Sequence, residues 1–84
     1  MVNKVAWITG AGSGIGEASA IKLAAEGFSV VLSGRTKGTL DTVASKCKGQ
    51  VSVKPLDVSN HEDVKAVFEE IISDYGRVDV LVAS

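Results

Sequence analysis

Gly10, Gly12, Gly14 and Gly16 stand between two apolar segments in the stretch ITGAGSGIGEASA, Ile8 to Ala20, and no other feature limits the possible folds as much. Upstream, Val5-Ala6-Trp7-Ile8 is short and continuously apolar, as expected of a strand covered on both faces in a parallel sheet. Downstream, from about Gly14 to Glu26, the pattern is helical and alanine-rich. Ile15, Ala18, Ile21, Ala24 and Ala25 are its expected inward residues, and Gly27 its stop. At such a strand–helix turn, backbone N–H groups and the positive end of the helix dipole can hold a phosphate. Glycines serve it by allowing a tight turn, close approach of backbone to ligand, and close helix–strand packing. The plain alternative is an ordinary turn that is rich in glycine.

The alternation of strand and helix continues along the chain. FSVVLSG, residues 28–34, reads as a second strand, short and β-branched. Residues 36–48 read as a second helix that starts near Thr39 and closes at Lys48-Gly49, with Leu40, Val43, Ala44 and Cys47 on one face. VSVKPLDV, residues 51–58, is a third strand; Pro55 cannot donate to a ladder, which puts the strand at a sheet edge or Pro55 near its end. Ser59 and Glu62 have capping-box spacing ahead of a third helix. Val64, Val67, Phe68, Ile71, Ile72 and Tyr75 form its apolar stripe, and Gly76 ends it. VDVLVA, residues 78–83, is a fourth strand. Strands alternating with helices need crossover connections, so the expected fold is α/β, a doubly wound parallel sheet of Rossmann type in the order β-α-β-α-β-α-β. Since no turn, cap or polar tail follows the last strand, residues 1–84 are expected to be the truncated front part of a longer domain.

Composition excludes several function classes. Hydrophobic residues make up 45% of the 84 and charged residues 23%, the profile of a folded chain. A net charge of −1, with the nine basic residues scattered, gives no footprint for nucleic acid or an acidic membrane. Cys47 is the only cysteine and His61 the only histidine, which leaves no disulfide framework and no structural zinc site. Cys47 is expected to fill core space, and His61, beside Glu62 and Asp63, to be a solvated residue of a helix's first turn. No signal-peptide pattern opens the chain, and no run approaches the roughly 20 apolar residues that span a bilayer. The expectation is a soluble, cytoplasmic protein with no metal, nucleic-acid or membrane partner.

Glycine spacing then decides between kinds of phosphate site. G-x-G-x-x-G fails, because its third glycine falls on Ile15 or on Glu17. A mononucleotide P-loop fails as well, because no Lys-Ser or Lys-Thr pair follows. Thr-Gly-x-x-x-Gly-x-Gly fits through Thr9, Gly10, Gly14 and Gly16, with Thr9 expected to hydrogen-bond across the turn.

On these residues the chain resembles the short-chain dehydrogenases/reductases. TGAGSGIG is similar to that family's cofactor loop at every defining position, and LDVSN to its Asp-Val segment. YGRVDVLVAS is similar to the segment leading into its Asn-Asn-Ala-Gly motif, so three landmarks lie in register over essentially the whole chain. The resemblance implies that Gly10, Ser13, Gly14, Ile15 and Gly16 form a pyrophosphate loop. It also implies that the Asp57 carboxylate meets the adenine amino group while Val58 packs on the ring. The pattern departs at Ala83 and Ser84, where the family usually has two asparagines; serine offers a hydroxyl but is shorter.

In dinucleotide folds an acidic residue about 20 positions past the glycines takes both hydroxyls of the adenosine ribose and favours NAD. Here that place reads Ser33-Gly34-Arg35-Thr36, with no carboxylate to repel a 2′-phosphate. Gly34 leaves room, and Arg35 brings a guanidinium suited to bidentate phosphate contact. Ser33 and Thr36 offer hydroxyls, and Lys37 a more distant charge. NADP is therefore the expected cofactor, ahead of NAD; the plain alternative for Arg35 is a solvated loop cation.

The resemblance further implies hydride transfer between a nicotinamide and a small carbonyl or alcohol substrate, in a homo-oligomer. The family's catalytic set is a serine, a tyrosine acid/base and a lysine, the last two as Tyr-x-x-x-Lys. The one tyrosine here, Tyr75, has Asp79 four residues on and closes an apolar stripe. No catalytic residue is expected within 1–84, and these residues alone are expected to be inactive. They read as the cofactor-binding part of an NADP(H)-dependent short-chain oxidoreductase. Two other classes stay open. Methyltransferases also place G-x-G-x-G after the first strand, a pattern met by Gly10, Gly12 and Gly14, but their acid two residues earlier is Ile8 here and their acid after strand two is missing. A complete small nucleotide-binding or assembly module is the other, and it would have to cover the edge of strand four, for instance by dimerising.

Overall fold

The computed structural model describes residues 4–83. Strands β1 (Val5–Thr9), β2 (Ser29–Ser33), β3 (Val51–Val53) and β4 (Val80–Ala83) alternate with helices α1 (Gly14–Ala25), α2 (Lys37–Ala44) and α3 (His61–Tyr75). Every strand pairing is parallel, and the sheet order is β3-β2-β1-β4. The chain builds outward from β1 to β3, then crosses back to lay β4 on the other side of β1. This is the expected doubly wound arrangement, and its change of direction opens a crevice beyond the carboxyl ends of the strands.

Alternation along β1 explains the two layers. Successive strand side chains point to opposite faces. Ala6 and Ile8 pack with Ala20 and Ala24 of α1 and with Leu40 and Val43 of α2. Val5 and Trp7 pack on the other face with Val67 and Ile71 of α3. The four apolar residues of β1, Val5 to Ile8, are all buried, so only a continuous apolar run satisfies both faces.

The sheet edges are finished by polar contacts. Beyond β3 the Lys54 N–H donates to the Leu32 carbonyl and the Leu56 N–H to the Gly34 carbonyl. The expected strand 51–58 stops at Val53, so β3 is an edge strand and Pro55 lies just past its end, where the ladder needs no donor. Lys54 reaches Glu70 at 3.1 Å and Asp74 at 3.2 Å on α3, and the hydrogen bond to Glu70 leads the interactions that raise its pKa. At the start of β4, Asp79 accepts from the Val5 N–H at 2.8 Å and is gripped by Arg77 at 2.8 and 2.6 Å. The Arg77 guanidinium, with the Val5 amide, holds the Asp79 carboxyl below the usual carboxylate range.

Several expected details differ. Of the five inward residues expected on α1 only Ala24 is buried; Ile21 is half-buried, Ala18 and Ala25 are exposed, and Ile15 is 73% exposed. The buried stripe is Gly16, Ala20 and Ala24, small residues four apart, because α1 lies close on the sheet. Helix α2 begins at Lys37 and stops at Ala44, so Cys47 lies past its end. Cys47 still packs against the α1/α2 core, and burial, with the Glu17 carboxylate adding, pushes its thiol up. On α3 the stripe splits: Val67 and Ile71 are buried, while Phe68 (44%) and Ile72 (38%) are exposed. The α3 cap is Asn60, whose side chain accepts from the N–H groups of Glu62 and Asp63, and not Ser59. Thr9 reaches the Val82 carbonyl on β4. Ala83 ends β4, and Ser84 lies outside the described residues. Among the described residues no helix is long and apolar enough to cross a membrane.

Candidate functional site

Three crossover connections meet beyond the carboxyl ends of β1, β2 and β3 and enclose a cleft of about 380 Å³. The β1–α1 turn gives it Gly10, Gly12 and Ser13. The β2–α2 connection gives Gly34, Arg35 and Thr36, and α2 adds Thr39 and Leu40. Leu56 and Val58 come from the β3–α3 connection. No carboxylate is among these lining residues.

The turn is held open by its own chemistry. Gly10 has φ +70°, a left-handed conformation that costs glycine little. Ser13 caps α1: its Oγ accepts from the Gly16 N–H at 3.3 Å and donates to the Gly10 carbonyl at 2.9 Å. A Cβ on Gly16 would stand 2.3 Å from the Gly10 oxygen and 2.9 Å from the Ala11 Cα, so that position packs helix against turn. A Cβ on Gly14 would meet nothing within 4 Å. Gly14 thus leaves the approach to the start of α1 open, and its missing side chain answers no contact inside the protein. The one carboxylate in that first turn, Glu17, is taken by Lys46 at 2.6 Å.

The facing wall is cationic and rich in hydroxyls. Arg35 is exposed, and among the described residues no carboxylate lies within ion-pair distance of it. Thr36 is the N-cap of α2, yet its side chain makes no capping bond. Lys37 is occupied by Asp41 at 2.9 Å. Gly34 leaves room for protein: a Cβ there would lie 3.2 Å from the Leu40 Cδ2. Asp57 accepts from both the N–H and the hydroxyl of Ser59, at 2.9 and 2.7 Å. These bonds hold its carboxyl below the usual range, and the nearby Arg35 charge acts in the same direction. Val58 is 56% exposed, a large apolar side chain with one face on the cleft.

Gly10, Ser13, Arg35, Thr36 and Val58 are thus brought together around one space. Gly14, Ile15 and Gly16 form the adjoining first turn of α1, and Asp57 stands beside Val58; none of these four lines the cleft. Ser33 is displaced from its expected role. It is fully buried on the α3 face, where its hydroxyl is engaged by Trp7 and the Lys54 carbonyl. Sequence reasoning passed over Gly12, Thr39, Leu40 and Leu56 as lining residues. Leu40 and Leu56 carry only the signal of core residues, and Thr39 comes to the cleft through a tertiary contact with Gly12.

The glycine turn and the cationic, hydroxyl-rich wall border one cleft, with the start of α1 beside it. The family model for short chain dehydrogenase matches residues 4–84. The chain belongs to the short-chain dehydrogenase family. An uncharacterised oxidoreductase of Staphylococcus aureus (strain N315) is 42% identical over 85 residues, covering all of this chain and 37% of that protein. The 3-ketoacyl-(acyl-carrier-protein) reductase of Brucella melitensis, complexed with NADH, has a TM-score of 0.86 and 40% identity, over 95% of this chain and 33% of that one. A metagenomic short-chain oxidoreductase in complex with NADP has a TM-score of 0.87 and 34% identity, over 96% and 38% of the two chains. This short-chain dehydrogenase sequence spans about a third of the length of the curated relatives it matches. Short-chain dehydrogenases bind nicotinamide dinucleotides, and the cradle fits such a group. Gly14 admits close approach, and a cation faces the turn across a cleft whose lining holds no carboxylate.

Proposed function

We propose that residues 1–84 are the N-terminal, cofactor-binding part of an NADP(H)-dependent short-chain oxidoreductase. In the intact protein the catalytic half follows Ser84, and the substrate is a small carbonyl compound or secondary alcohol. The carrying observation is that Arg35 and Thr36 share one cleft with the glycine turn, without a carboxylate in its lining. NAD recognition calls for an acid at that place, and a 2′-phosphate for a cation.

When bound, the dinucleotide supplies or accepts a hydride at its nicotinamide. This chain's residues bind and orient it. Backbone amides at Gly14 and Ile15, with the turn from Gly10 to Ser13, take the diphosphate at the positive end of α1, while Gly16, its N–H held by the Ser13 hydroxyl, lets helix and turn pack closely. Arg35 and Thr36 take the 2′-phosphate. Asp57, kept ionised by Ser59, accepts from the adenine amino group, and Val58 offers the ring an apolar surface. Tyr75, the last residue of α3, is half-buried with its hydroxyl bonded to Ser52, which supports leaving it out of the chemistry. The 84 residues alone are accordingly proposed to be inactive. The intact protein is proposed to work as a homo-oligomer in the cytoplasm.

Calorimetric titration of the intact protein with NADPH, NADH and S-adenosylmethionine tests this reading. NADPH should bind most tightly, NADH more weakly, and S-adenosylmethionine not at all. At a hundredfold excess over Kd, NADPH should add about 2.7 kcal/mol to unfolding stability. Binding of neither coenzyme overturns the proposal, and so does binding of S-adenosylmethionine alone.

A further inference from the structure

We propose that Lys46 is a positioning residue for coenzyme binding, its ammonium holding the Glu17 carboxylate aside so that the start of α1 stays free for a diphosphate; this rests on the cofactor reading above, in its diphosphate part alone. Glu17 is the acidic residue in the first turn of α1, where its N–H donates to the Ser13 carbonyl at 2.8 Å. It lies about 5 Å along the helix axis from Gly14. Side chains on a helix lean toward its N-terminus. A carboxylate so placed is drawn to the positive end of the dipole, the same end that a diphosphate uses. Two anions thus compete for one helix start.

Lys46 settles that competition. From just past the end of α2, 29 residues along the chain, its ammonium meets the Glu17 Oε2 at 2.6 Å. Cys47 marks the same side of α1: burial leads the rise of its thiol, and the Glu17 charge adds to it. The Glu17 carboxylate is therefore turned toward the residues that follow α2, and it is absent from the lining of the cleft. Among the described ion pairs this is the only one that involves α1. Stability gives it little reason to exist, since its side chains are 52% and 29% exposed and pairs in such positions add little. Without Lys46 a bare carboxylate would stand within the screening length of about 8 Å from the helix start and oppose an incoming diphosphate.

The test is a double-mutant cycle in the intact protein, with Lys46→Met, Glu17→Gln and the two together titrated with NADPH and NADH at low salt. Lys46→Met should weaken both coenzymes about threefold, as expected of one uncompensated charge acting through solvent. Glu17→Gln alone should change either by less than about twofold, because the charge it removes is already paired, and the double variant should return to near wild type. Lys46→Arg keeps the pair and should bind as wild type does; thermal unfolding checks that every variant folds. At about 1 M salt, where the screening length is about 3 Å, the loss in Lys46→Met should vanish. A loss that Glu17→Gln does not restore, that survives high salt or that falls on NADPH alone overturns the assignment while leaving the cofactor reading intact. So does no loss at all, or a Glu17→Gln effect as large with Lys46 present as without it. A wild type that binds neither coenzyme overturns the cofactor reading itself, before any variant is measured.

Discussion

The indole N–H of Trp7 donates to the Ser33 hydroxyl across 2.9 Å, and that hydroxyl donates in turn to the Lys54 carbonyl at 2.8 Å. One buried side chain thereby links β1, β2 and the end of β3 on the α3 face. Replacing Ser33 by Ala leaves an indole N–H and a carbonyl oxygen without this partner. Ser33→Ala should cost about 1–3 kcal/mol in urea unfolding, with the NADPH-to-NADH affinity ratio unchanged. A shift in that ratio would return Ser33 to the cofactor site.

Gly14 and Gly16 should respond in opposite ways. A methyl group at Gly16 collides with backbone, so Gly16→Ala should lower stability by about 1–3 kcal/mol and weaken both coenzymes. At Gly14 the space is open, so Gly14→Ala should hold or raise stability by up to about 1 kcal/mol. It should still weaken both coenzymes, because the new side chain stands where a diphosphate approaches. Thermal unfolding beside coenzyme titration separates the two, and a stable Gly16→Ala variant would refute the packing argument.

Under the proposed cofactor reading, Arg35 is the charge on which coenzyme choice turns. Arg35→Glu should weaken NADPH by about a hundredfold or more while leaving NADH unchanged or improved, as expected when a guanidinium–phosphate contact becomes a repulsion. Steady-state KM values for the two coenzymes, or direct titration, give the answer. An unchanged ratio would make Arg35 an ordinary solvated cation.

The cap on α3 offers a paired test. Asn60→Ala removes the acceptor for two first-turn N–H groups and should cost about 0.5–2 kcal/mol. Ser59→Ala should cost less than Asn60→Ala in stability but should release Asp57, whose carboxyl Ser59 binds twice. A larger stability loss for Ser59→Ala would reinstate the capping box.

Acid should loosen the junction of β1 and β4. Asp79 has its pKa lowered by Arg77 and the Val5 amide, so the unfolded chain binds its proton at higher pH than the folded one. Its contribution is complete above the ordinary carboxylate value of about 3.9 and is lost as pH falls through the lower folded value. Unfolding followed from about pH 6 to pH 2 should show a steeper loss of stability in wild type than in Asp79→Asn. Parallel curves would remove Asp79 from the acid response.

Parts of this structure were legible because they obey short-range rules. Val5 to Ile8 must be apolar throughout when both faces are covered, and Gly10 to Gly16 must be glycine-rich where a turn meets a helix start. Ser33 was misplaced although a signal existed: with a period of two it shares the side of Val31, which packs on the α3 face. Ile15 looked like core by type, but the stripe of small residues at Gly16, Ala20 and Ala24 was the better guide to a helix lying close on its sheet. Ser59 and Asn60 are both good caps, and the choice between them follows from Asp57 claiming Ser59. Thr39 had no local signal, since its place depends on packing between α2 and the distant β1–α1 turn.

The turn at Gly10 to Ser13 and the wall from Gly34 to Thr39 belong to separate crossovers, though they border one space. They come together at Thr39, whose Cγ2 leaves no room for a Cβ on Gly12, so neither can be rewritten without regard to the other. Under the proposed cofactor reading, a change of coenzyme would call for the second crossover to be exchanged together with Gly12 of the first.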